Sequence, residues 1–127
     1  MERDFPPGLA DLHSPWLRAE LLAYLEELAT PDPRIIWRAE VKRGLISGVD
    51  QVIHFFFDDH DFDESQIGFS LLDKAEAALI QAIKRALGQL IEKLPHGGDD
   101  EYATDPLWQA VTASAVTAYE VISARSA

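Results

Sequence analysis

Between His54 and Glu64 the chain reads His-Phe-Phe-Phe-Asp-Asp-His-Asp-Phe-Asp-Glu, which sets two imidazoles and five carboxylates beside an aromatic block. Side chains of these types can hold a cation, move a proton or face a positively charged partner. The run lies inside a longer window, Gly44 to Asp73, that contains no Lys or Arg. Its charges therefore have no counter-charge nearby in sequence.

Three kinds of chemistry can be set against this pattern. Asp59-x-Asp61-x-Asp63 resembles the opening of an EF-hand calcium loop. The rest of such a loop needs Gly where Glu64 stands and a bidentate Glu where Ser70 stands, so an EF-hand is rejected. A divalent metal held by His54, Asp58, His60 and Asp61 is the second reading, because on a helix His54 and Asp58 are i,i+4 neighbours. His60-Asp61 also resembles the doublet of HD-type phosphohydrolases, a family that needs further His and Asp residues on separate helices. The third reading is a surface. Asp58, Asp59, Asp61, Asp63 and Glu64 would offer negative charge to a basic partner protein, with Asp99-Asp100-Glu101 as a second acidic patch. No catalytic residue is assigned. Cysteine is absent, Gly-x-Ser-x-Gly does not occur, and the glycines match no nucleotide-binding fingerprint.

Composition narrows the field. At 127 residues, 47% apolar and 26% charged, the chain reads as one domain, 1–127, with residues 1–13 as an extended N-terminal arm. The 22 acids outnumber the 11 bases, for a net charge of −11, which argues against nucleic acid and against anionic membranes. No apolar run reaches spanning length, and the start of the chain lacks signal-peptide character. Together with the absence of Cys, this points to a cytoplasmic protein. A homo-oligomer is a further possible arrangement.

The elements that must position the acidic run are mainly helical. Ser14-Pro15, Asp32-Pro33 and Asp105-Pro106 each pair a capping residue with proline at a helix start. After the first, Leu17, Leu21, Tyr24, Leu25 and Leu28 share one face, with Arg18, Glu20, Glu26 and Glu27 largely opposite. A long helix is expected over about 71–94, opened by a Ser70-to-Asp73 capping box. Its stripe is Leu72, Ala75, Leu79, Ile83, Ala86, Leu90 and Leu94, widened by Ile80, Leu87 and Ile91. The last helix, from Asp105 to about Ser123, should bury Leu107, Val111, Ala115, Ala118 and Ile122.

The segment 33–58 carries both helical and alternating patterns. The expected fold is accordingly a compact, mainly α domain of four to five helices with the long helix at its centre. The alternative is α+β, with a small β-hairpin at 35–42 and 51–57. Trp16, Trp37 and Trp108 are expected core anchors. Of the adjacent Phe55, Phe56 and Phe57, two are expected inside and the third is free to face outward.

Overall fold

The computed structural model describes residues 8–126. Residues 1–7 of the expected N-terminal arm lie outside the described part; residues 9–11 form a 3-10 turn, and Leu12 is already buried. Six α-helices follow: α1 Pro15–Ala29, α2 Arg34–Lys42, α3 Val49–Ile53, α4 Lys74–Lys93, α5 Asp99–Thr104 and α6 Trp108–Ala124. The domain is mainly α. The hairpin alternative is not supported: 35–42 lies in α2, 51–57 is helical, and the described residues show only an isolated bridge, Ile67 to Leu71.

α4 is the longest helix, and α6 packs against both it and α1. The composition of α6 permits this. Ala115 and Ala118, both fully buried, let backbones approach closely, while Val111 and Ile122 fill the space above and below. From α1 come Leu17, Leu21, Leu25 and Leu28; from α4 come Ala77, Ile80, Ile83, Ala86, Leu87 and Leu90. The stripe expected on α4 is thus rotated: Ala75 is exposed and Leu79 half-buried, while Glu76 and Ala77 face inward. Asp73, not Ser70, caps this helix by accepting from the Glu76 N–H at 3.0 Å. Ser70 is buried, and its hydroxyl donates to Gln66.

The rotation of α4 has a cause in α1. Arg18, expected on the outer face, is only 3% exposed. Its guanidinium forks onto Glu76, with Nη1 to Oε1 at 2.7 Å and Nη2 to Oε2 at 2.9 Å. It also donates to the Ser70 carbonyl and to the Ser126 hydroxyl, while Arg125 and the Leu72 N–H reach the same Glu76 carboxylate. Burial alone would raise the pKa of Glu76. The bonds from Arg18, the Leu72 amide and Arg125 outweigh it and hold the carboxyl below its ordinary value.

Around this three-helix centre sit the shorter elements. Trp37 from α2 meets Trp108 edge-on, with ring centroids 6.2 Å apart, and Tyr102 from α5 is buried with its hydroxyl on the Leu94 carbonyl. Trp16, by contrast, is 68% exposed and anchors nothing in the core. Asp99, Asp100 and Glu101 are the first turn of α5 rather than a solvated loop. Asp99 accepts from the Val49 N–H and so caps α3 across 50 residues of sequence. Gly48 makes that approach possible: its φ is +137°, and a Cβ there would lie 2.9 Å from the Asp99 carboxylate.

Candidate functional site

The acidic run begins where α3 widens. His54 to Asp59 form a π-helical turn directly continuing α3. A π turn inserts one residue per turn and is frequent at functional sites. Here it leaves Phe55 and Phe56 both buried, while Phe57 stays 37% exposed with Lys84 Nζ 5.3 Å from its ring centroid. Phe55 stacks on Tyr24 of α1 at 4.2 Å.

After the turn the chain reverses at Phe62, the only non-glycine residue with positive φ among the described residues, at φ 50°. A left-handed conformation costs a side-chain-bearing residue about 1–2 kcal/mol. Burying the Phe62 ring against Phe55, Phe56 and His60 offsets that strain. The loop backbone is also tied down. Gln81 donates to the carbonyls of Asp61 and Phe62, and Lys84 donates to the Asp61 carbonyl at 2.8 Å.

The consequence is a rigid backbone with its acids outside. Asp58, Asp59, Asp61, Asp63 and Glu64 are all exposed. Asp63 caps the short 3-10 turn Glu64–Gln66, and the Ser65 hydroxyl and amide hold its carboxyl below the usual range. Of the four residues considered for a metal, the structure joins two: His54 Nδ1 lies 2.5 Å from Asp58 Oδ2, on an exposed face. The His60 ring turns instead to Phe55 and Phe62, and Asp61 engages its neighbours through its backbone carbonyl. Among the described residues, no three of His, Asp and Glu come together as a metal site would require. The second acidic patch is engaged internally: Asp100 pairs with Arg34 and Arg38, and Asp99 caps α3.

A second feature lies next to the loop. A groove of about 580 Å³ opens between α1 and α2, floored toward α3 by Ser47, Gly48 and Gln51. Glu27 of α1 and Glu40 of α2 both line it, half-buried. Burial, and then the charge of Glu40, push the Glu27 carboxyl up to about 7. The Trp37 indole N–H acts in the opposite direction on Glu27. Yet this N–H is buried and has no acceptor in hydrogen-bonding geometry. Tyr24 connects the two regions: burial, then Glu27, Glu20, Glu40 and Asp59, raise its phenol.

Neither the groove nor the Arg18–Glu76 pair stands out in a search for familiar motifs. A signal for the groove was present all the same. Glu20, Tyr24 and Glu27 recur at helical spacing along the border of the α1 stripe, and Glu40 lies one turn from the buried Trp37.

A family model described as a domain of unknown function, DUF7945, matches residues 12–127. The chain belongs to the DUF7945 family. The match opens at Leu12, the first buried residue among those described, and it includes both the acidic loop and the groove of the DUF7945 domain. No curated protein and no solved structure matches the chain.

Proposed function

We propose that this domain is a non-catalytic, cytosolic binding or regulatory module, of the inhibitor or immunity kind, that offers its 58–64 loop to a basic partner protein. The observation that carries the reading is the combination of exposed acids with a backbone fixed by the core. Five carboxylates face solvent on a loop pinned by Phe62, Gln81 and Lys84, so little order is lost when a partner docks. The surrounding window holds no Lys or Arg, His54 on Asp58 is the ion pair that the structure gives these five acids among the described residues, and Phe57 adds an apolar contact at the edge. Such a surface governs partner choice and association rate more than final affinity.

The test compares the immobilised wild type with a variant carrying Asp58→Asn, Asp59→Asn, Asp61→Asn, Asp63→Asn and Glu64→Gln. The expected result is a basic protein captured by the first and lost from the second. Its association rate should fall by about tenfold or more between low and near-molar salt. Equal capture by both, or a rate indifferent to salt, counts against the proposal.

A further inference from the structure

We propose that the groove between α1 and α2 is a binding site for an organic cation, an ammonium or guanidinium group on a short apolar body, seated against Glu27 and Glu40. This site is separate from the acidic loop and does not depend on the function proposed for it.

Three observations converge. The first is the lining. Glu20, Glu26 and Glu27 from α1 and Glu40 from α2 supply carboxylates, while Tyr24, Ile36 and Ile46 supply walls for an apolar body. Ile46 stands 84% exposed at the rim. The second is the missing counter-charge. Among the described residues no Lys, Arg or His makes an ion pair with Glu27 or Glu40, and the single hydrogen-bond donor to Glu40 is the Ser47 hydroxyl at 3.2 Å. Two half-buried carboxyls that line one groove, each raising the other's cost of ionisation, favour holding a proton where no cation is present.

The third is the orphaned indole. Trp37 is 2% exposed, and its N–H, near enough to Glu27 to favour the ionised carboxylate, has no acceptor in hydrogen-bonding geometry. A proton-sharing Glu27 directs its carboxyl toward Glu40 and leaves that donor unsatisfied. A fully ionised Glu27 has lone pairs enough to face a cation and accept from Trp37 at once. The buried donor is therefore matched to the state in which a cation, rather than a proton, bridges the two carboxylates. Binding then exchanges one for the other: the ligand enters with its positive charge, and one proton leaves to solvent. The charged and titratable groups lining the groove beside the pair are Glu20, Tyr24 and Glu26 on α1 and Arg43 just after α2; Ser47 and Gln51 are uncharged. Arg43 is the one positive group of this lining, and the field of the four glutamates outweighs it.

The experiment titrates the full chain with agmatine, n-pentylammonium and acetyl-arginine-amide by calorimetry, at fixed ionic strength, in buffers of different ionisation enthalpy. Saturable binding at one site is expected. Below about pH 7 it should release up to about one proton and tighten by up to about tenfold per pH unit; above it, neither effect should persist. Tighter binding of acetyl-arginine-amide than of agmatine assigns the natural source to a protein side chain; the reverse order assigns it to a free cation. Glu27→Gln and Glu40→Gln should each weaken binding at least about tenfold and abolish proton release, with circular dichroism showing either variant folded. The neutralised-loop variant should keep both properties. Absence of saturation, or binding and proton release unchanged in a folded Glu27→Gln or Glu40→Gln chain, overturns the proposal.

Discussion

Two glutamates, 49 residues apart on different helices, illustrate how surroundings set the behaviour of one side chain. Glu76 is fully buried and accepts from two guanidinium groups and an amide, so it stays ionised. Glu27 is half-buried beside another carboxyl and takes up a proton near neutrality. Removing one member of the Arg18–Glu76 pair strands the other in the core, so Glu76→Gln or Arg18→Ala should cost about 3–5 kcal/mol. Replacing both with Met and Leu should recover most of that loss. Urea denaturation of the two single variants and the double variant measures the coupling; singles that each cost under about 1 kcal/mol would contradict it. The sequence hid this pair because periodicity assigns a face by polarity, and Arg18 sits within an apolar stripe for a partner that only tertiary structure brings to it.

At the level of elements, the acidic loop depends on α4 for its shape. Gln81 and Lys84 bind loop carbonyls rather than loop carboxylates, which fixes the backbone and leaves the acids exposed. Replacing both with Ala should therefore loosen residues 59–66 while leaving the three-helix centre intact. Amide exchange in that segment should accelerate by about tenfold, with little change in the global midpoint; exchange unchanged in the loop would show that Phe62 alone holds it. The helical character of this region was partly legible. Asp32-Pro33 marked the entry to α2, and the aromatic spacing fitted a helix as well as a strand. The π turn and the reversal at Phe62 were not, since both arise from burying Phe55, Phe56 and Phe62 together. The internal engagement of the second acidic patch was not legible either, because Asp99 serves a helix 50 residues away in sequence.

Across the whole molecule these local effects set a pH window. Glu76 has a folded pKa below its unfolded value, so its contribution is present above about 4.5 and is lost as acid takes the pH through the folded value. Glu27 runs the other way. Its folded pKa is about 7, so its contribution is full below the unfolded value and disappears as pH rises through 7. Stability should peak in mildly acidic solution and decline toward alkaline pH. Glu27→Gln should remove part of the alkaline decline, on the order of 2 kcal/mol after allowance for solvent screening, without moving the acid limb. Thermal melts from about pH 4 to 9 distinguish the two limbs, and a parallel decline in the variant would assign the alkaline loss elsewhere.

The bond from Arg18 to Ser126 joins residues 108 positions apart. α1 makes its most extensive packing with α6, so the leucine face of the first long helix is fully covered only once the last one is in place. The Arg18–Glu76 ion pair closes a loop of 58 residues, but completing the α1–α6 packing closes a loop of nearly the entire chain, a slow kind of contact to find. A chain made from its N-terminus is therefore expected to carry part of the leucine face of α1 uncovered until α6 has emerged, an interval in which incompletely packed chains are open to chaperones, proteases and aggregation.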